Sequence, residues 1–120
     1  MSRPFRVTAE RLDGDVLVVN VAGEIDQATV PDLEKALDQA IQTDPAALVV
    51  DLSDCGFIDS SGLATLVAAR ERHTEGDGGQ FGICCADSQV LRLLEITGLD
   101  DAMGVTGSRA EALEALRTPS

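Results

Sequence analysis

"ALVVDLSDCGFIDSSGLATL", residues 47 to 66, runs from an apolar segment through a polar, glycine-containing link into small apolar residues. Residues 47 to 52 are almost wholly apolar, which suits a short strand covered on both faces. Asp59, Ser60 and Ser61 then stand before Gly62 and the apolar positions of a helix. Asp and Ser are favoured N-caps because their side-chain oxygens accept bonds from backbone N–H groups that the first turn leaves without partners. The spacing predicts strand, loop and helix, the helix running from about Ser60 to His73. A strand buried on both faces and followed by a helix is half of a βαβ unit, so a parallel sheet is expected.

The flanking sequence extends this pattern. "FRVTAERLDGDVLVVNVAG" holds two alternating apolar runs around Asp13-Gly14, a pair that turns a hairpin because both residues tolerate φ > 0. "GEIDQAT" is a polar connection, and a helix begins near Thr29 with Pro31, Asp32 and Glu34 in its first turn. Val30, Leu33, Leu37, Ala40 and Ile41 then recur on one helical face. Beyond the opening stretch, "QFGICCA" reads as a strand and "DSQVLRLLEITGL" as a helix ending at Gly98 in an αL cap, with Leu99 behind it. "MGVT" is a short last strand. Ser108 and Glu111 make a capping box that opens a final helix, with Leu113 and Leu116 inward.

The order is ββαβαβαβα. It predicts an α/β fold in a single domain, residues 4–117, with short tails at 1–3 and 118–120. The sheet is mixed and mostly parallel, of about five strands, with one antiparallel edge strand from the hairpin and four flanking helices. Sites in such sheets gather at the carboxyl ends of the strands. The 53–60 loop and the "GEIDQ" loop therefore share one rim.

Composition narrows the function. With 44% hydrophobic but only 2% aromatic residues, the core must be built from Val, Leu, Ile and Ala. The net charge is −12, from 21 acidic and 9 basic side chains. Nucleic acid binding rests on Lys and Arg neutralising phosphates, so that class is set aside. The charge reads first as a solvated acidic surface, and the sharper reading is a basic partner protein steered onto one acidic face. The N-terminal "MSRPFRVTAERLDGD" carries no apolar signal region, and runs such as "VLVV" fall far short of a membrane span. A soluble, cytoplasmic, monomeric protein is expected, with no membrane role. Cys55, Cys84 and Cys85 lack CxxC spacing. Cys84 and Cys85, adjacent in a strand, should point to opposite faces as small buried hydrophobes.

Enzymatic readings fail at particular residues. Ile58 stands where a nucleophile elbow needs glycine. His73, the one histidine, lies thirteen residues past Ser60 on the same expected helix, roughly 20 Å away at ~1.5 Å per residue. It reads as an exposed polar residue near a helix end. Lys35, the one lysine, sits mid-helix among solvent-facing residues. No glycine pattern of a nucleotide loop is present. Asp26, Asp51, Asp54 and Asp59 could suggest the magnesium site of a receiver domain, but that chemistry also needs a lysine after the last core strand, where "MGVTGSRAEA" offers only Arg109. No catalytic residue, metal site or cofactor is assigned. What remains is a hydroxyl, Ser60, at a helix N-terminus, where a phosphoryl group would meet free N–H groups and the positive end of the helix dipole.

These residues carry a family resemblance. Asp51-Leu52-Ser53, then Asp59-Ser60-Ser61-Gly62-Leu63 opening a helix, with "GEIDQAT" some thirty residues upstream, closely resemble the signature of the STAS domain of bacterial anti-sigma factor antagonists. The likeness covers residues 4 to 117. It implies a regulatory binding module, not an enzyme. It implies that the unphosphorylated form binds an anti-sigma factor serine kinase of the histidine-kinase-like ATPase fold and so frees a sigma factor. It implies that the kinase phosphorylates Ser60 and that a PP2C-type phosphatase reverses this. It places Asp26, Asp59, Ser60, Ser61 and Gly62 at the partner-binding site. A STAS scaffold subunit of a stressosome-like or transporter complex is the alternative.

Overall fold

A computed structural model describes residues 4–75, 79–86, 88–98 and 105–117. The elements are β1 (Arg6–Leu12), β2 (Val16–Ile25), α1 (Val30–Gln42), β3 (Ala47–Ile58), α2 (Ser60–Thr74), β4 (Gln80–Cys84), α3 (Ser88–Ile96), β5 (Val105–Thr106) and α4 (Arg109–Arg117). The order is the expected ββαβαβαβα. The strands lie side by side as β1-β2-β3-β4-β5, with β1 antiparallel to β2 and every other neighbouring pair parallel.

Two differences from the sequence reading sit at the ends of β2. The hairpin loop has three residues, because Leu12 pairs with Val16. Positive φ falls on Gly14 and Asp15, one residue later than a two-residue Asp13-Gly14 turn would put it. Asp15 is held there by Arg11 and by the Ala46 amide, which donates to its carboxylate at 3.0 Å. At the other end β2 runs on through Glu24 and Ile25, so all of the "GEID" segment but Asp26 is strand.

One face of the sheet carries the main core. Leu33 and Leu37 from α1, Leu66 and Ala69 from α2, and Val90 and Leu94 from α3 close over Val19, Val50, Leu52 and Ile83. The other face is covered by α4, with Ala112 and Leu113 over Val18, Val49 and Cys84. Cys84 and Cys85 therefore do face opposite ways, Cys85 in the larger cluster and Cys84 in the smaller. Burial and the neighbouring Asp51 carboxylate push the Cys84 thiol up to about 12, which leaves it a protonated packing group.

α4 is fastened where it starts. Ser108 Oγ accepts from the Glu111 amide at 3.2 Å, the expected half of the capping box, whereas Glu111 reaches back to the amide of Gly107 rather than of Ser108. Arg109 joins Asp51 on β3 (3.2 Å), Asn20 on β2 and Glu10 on β1. Burial alone would raise the Asp51 pKa, but hydrogen bonds from Ser53, Cys84 and Arg109 outweigh it and hold the carboxyl below its usual value. Leu99, Met103, Gly104 and the side chain of Leu116, which the sequence reading used, lie outside the described residues. Gly98, at φ +75°, has the conformation of the expected αL cap on α3.

His73 corrects the sequence reading. It is 6% exposed at the C-terminal end of α2, not on the surface, because Gly79 and the start of β4 fold over it. Its Nε2 has no hydrogen-bond partner among the described residues. Burial lowers its pKa from 6.5, against a smaller opposing pull from Asp44 and a hydrogen bond with the Gln80 backbone. The fold thus favours neutral imidazole. The stability this supplies is complete above the unfolded-state pKa and is lost as pH falls through the lower folded-state value. Urea midpoints at about pH 7.5 and about pH 5.5 should therefore differ less for His73→Leu than for the wild type. Equal differences would place the acid sensitivity elsewhere.

Candidate functional site

The carboxyl ends of β2 and β3 build the site. Ile25 and Ile58 pair in register, and the next residue on each strand is an aspartate, Asp26 and Asp59. The Asp59 amide donates to the Ile25 carbonyl at 3.1 Å, so both sequence-predicted aspartates leave the sheet at neighbouring points. β3 continues six residues beyond the expected 47–52, so most of the anticipated 53–60 loop is strand. Only Asp59 separates it from α2.

Asp59 is the N-cap of α2, with extended backbone (φ −103°, ψ −175°). Its Oδ1 accepts from the Gly62 amide at 3.0 Å and from the Ser61 hydroxyl at 2.6 Å. Those two bonds hold its carboxyl below the ordinary carboxylate value, so it is charged at neutral pH. Ser61 is thus occupied locally, as a first-turn hydroxyl. Ser60, the first helical residue, is exposed, and its hydroxyl makes no hydrogen bond among the described residues. Adjacent serines have been given different situations by one cap. Ser60 alone presents a free hydroxyl at the positive end of a helix of 15 residues.

Gly62 lies against the strand ends. A Cβ there would stand 2.5 Å from Ile25 Cγ2 and 2.7 Å from Ile58 Cγ1. α2 can approach this closely only because residue 62 has no side chain.

Asp26 has a structural task as well. Its Oδ1 accepts from the amides of Ala28 (2.9 Å) and Thr29 (3.1 Å), closing the turn into α1. Thr29, the N-cap position, makes no capping bond of its own; its Oγ1 accepts from the Asp26 amide at 2.9 Å and donates to the Glu24 carbonyl at 2.9 Å. Asp26→Ala should therefore lower stability by about 1 kcal/mol, the usual cost of losing a cap, while Asp26→Asn, which keeps an oxygen at Oδ1, should melt with the wild type. Thermal melts of the pair decide this; equal melts for Ala and the wild type would show the turn bonds to be dispensable.

Of the four aspartates considered together from the sequence, two lie elsewhere. Asp51 and Asp54 line a cavity of about 220 Å³ with Arg6, Thr8, Asn20 and Arg109. The structure therefore brings together Asp26, Asp59, Ser60, Ser61 and Gly62, and separates Asp51 and Asp54 from them. Sequence reasoning missed Phe57, which stands beside Glu24 in register and is 46% exposed.

The model of the family described as "STAS domain" matches residues 6–112. The chain belongs to the STAS domain family. The anti-sigma-F factor antagonist RsfB of Mycobacterium tuberculosis is 34% identical over 118 residues, 98% of this chain and 95% of that protein. An anti-sigma F factor antagonist of Paenibacillus polymyxa is 32% identical over 88% of this chain and 90% of its own length. The crystal structure of an anti-sigma factor antagonist from Mycobacterium paratuberculosis superposes with a TM-score of 0.89 at 37% identity, covering 98% of this chain and all of that one (100%). In this STAS chain, then, the motif stretch is the end of β3, the Asp59 cap and the first turn of α2. Among the described residues no helix is long and apolar enough to cross a membrane.

Proposed function

We propose that this STAS protein is an anti-sigma factor antagonist acting in the cytoplasm, a binding module whose unphosphorylated form engages an anti-sigma factor serine kinase and so releases a sigma factor. The kinase transfers the γ-phosphoryl group of ATP to the Ser60 hydroxyl, ADP leaving, and binding is lost. A PP2C-type phosphatase hydrolyses the phosphoserine with water, restoring the hydroxyl and releasing inorganic phosphate. One observation carries this reading: Ser60 is exposed, without a side-chain hydrogen bond among the described residues and at a helix N-terminus, while Ser61 beside it is tied to Asp59. The names of relatives matched over nearly the whole chain support the same role.

The electrostatics favour a switch. Phosphate adds about −1.5 to −2 charges. The addition falls at the rim where Glu24, Asp26 and Asp59 stand at the ends of β2 and β3, and segments 23–29 and 53–62 contain no Lys or Arg. A partner surface fitted to a neutral hydroxyl would then face a dianion in acidic surroundings. The Asp26 carboxylate joins the contact through Oδ2, which makes no hydrogen bond among the described residues, so Asp26→Asn loses partner affinity without losing the turn.

The reading is tested by affinity capture from the native cytoplasm with ADP or ATP, identification of the bound proteins, and phosphopeptide mapping after incubation with the purified kinase. An anti-sigma factor retained with ADP and released with ATP, with phosphate on Ser60, is the expected result. Phosphate on Ser61 instead, or no anti-sigma factor bound under either condition, would overturn it.

A further inference from the structure

β3 contains two extra residues. Between the pairs Asn20↔Asp51 and Ala22↔Asp54, β2 advances two residues and β3 three; between Gly23↔Cys55 and Glu24↔Phe57, β2 advances one and β3 two. Each surplus residue is a bulge, and each bulge reverses the alternation of faces along the strand. The second bulge, at Gly56, decides where Phe57 goes. A regular strand beyond Cys55, which is buried, would send Phe57 to the same buried face and Ile58 outward. The bulge exchanges them, so Ile58 is 3% exposed under α2 and Phe57 is 46% exposed.

The bulge requires an outward residue at 57 but not an apolar one. A polar side chain there would leave the fold as it is. The chain instead spends one of its 3 phenylalanines, with no Trp or Tyr elsewhere, on the rim that holds Ser60. Single exposed hydrophobes are ordinary, and Ile96, 71% exposed, is one. α3 starts beyond the carboxyl end of β4 and runs back along the sheet, so Ile96 ends on the opposite rim. Phe57 differs in being three residues from Ser60, beside Glu24 in register and two residues before Asp59, with no basic residue in segments 23–29 and 53–62. A half-exposed aromatic flanked by acidic side chains is complementary to an apolar pocket edged by Lys or Arg.

We propose that Phe57 is the apolar anchor through which this chain docks on its anti-sigma factor, seated in an apolar pocket that basic side chains of that partner surround. This rests on the preceding reading of the partner. It also gives the bulge a purpose: Ile58 is turned in to meet α2, and Phe57 is turned out to meet the partner.

The test is calorimetric titration, with ADP, of the purified anti-sigma factor identified by capture. The titrants are the wild type, Phe57→Ala, Phe57→Gln and Ile96→Ala, each with a thermal melt. Both Phe57 variants should melt with the wild type and bind about thirtyfold or more weakly, as truncated aromatic anchors do. Ile96→Ala should bind as the wild type does. Wild-type binding with both Phe57 variants within threefold of it would overturn this proposal and leave the antagonist reading standing. So would an equal loss in Ile96→Ala, or lowered melts in both Phe57 variants, which would show the side chain to serve the fold. Failure of the wild type itself to bind would overturn the antagonist reading and this proposal with it.

Discussion

Ser60→Asp will bind the anti-sigma factor at least a hundredfold more weakly than Ser60→Ala, with both variants as stable as the wild type to within about 1 kcal/mol. The stability half follows from the hydroxyl's situation. It makes no hydrogen bond among the described residues, so alanine forfeits nothing at the first position of α2. Aspartate there lies at the positive end of the dipole, a favourable place worth about 0.3–1 kcal/mol, which offsets repulsion from charged Asp59. The binding half follows from where the charge lies. Alanine leaves a small neutral surface and cannot accept phosphate, so it binds and stays bound when ATP is added. Aspartate brings one negative charge into a rim that already holds Glu24, Asp26 and Asp59, although one carboxylate only partly imitates phosphate. Calorimetric titration of each variant into the kinase with ADP, alongside melts, reads both halves. Equal affinities for two folded variants would end the case for a charge switch at this serine.

The residues that made this site legible are local in sequence. Asp59, Ser60, Ser61 and Gly62 act within one turn of helix, so a helix start could be read from spacing, while the roles of Ser60 and Asp26 came from the STAS resemblance of two equally local motifs. The element order was legible for the same reason, since each helix carries its own apolar face and start signal. What was not legible depends on partners distant along the chain. Arg109 reads as an isolated cation, yet it bonds residues 58, 89 and 99 positions away. His73 reads as a polar helix end because nothing near it in sequence announces that Gly79 and β4 will cover it. The second half of β3 was hidden by its bulges. Its burial runs exposed, exposed, buried, twice over from Ser53 to Ile58, which matches neither the period of a strand nor that of a helix. The same irregularity concealed Phe57.

Gly62→Ala should destabilise the fold although it replaces glycine inside a helix, where alanine is ordinarily better by about 1 kcal/mol. The sign is decided by Ile25 Cγ2 and Ile58 Cγ1, which stand 2.5 and 2.7 Å from where the new Cβ would be. Neither carbon is the free end of a flexible chain. Each is bonded directly to the Cβ of a β-branched side chain in the core, on strand ends locked in register with each other. Relief must come from α2 moving outward, and overpacking of this kind costs about 1–3 kcal/mol. Movement of the first turn also strains the Gly62 amide bond to Asp59 and carries Ser60 with it. The variant should therefore melt below the wild type and be phosphorylated more slowly. A double-mutant cycle with Ile58→Ala locates the cause. Removing the Ile58 carbons relieves one of the two contacts, so the pair should couple by about 1 kcal/mol in the relieving direction. Additive effects would assign the clash to Ile25 Cγ2 alone. A Gly62→Ala protein that melted at or above the wild type would show that helix propensity, not the contact with the two isoleucines, governs the seating of α2 under Ser60.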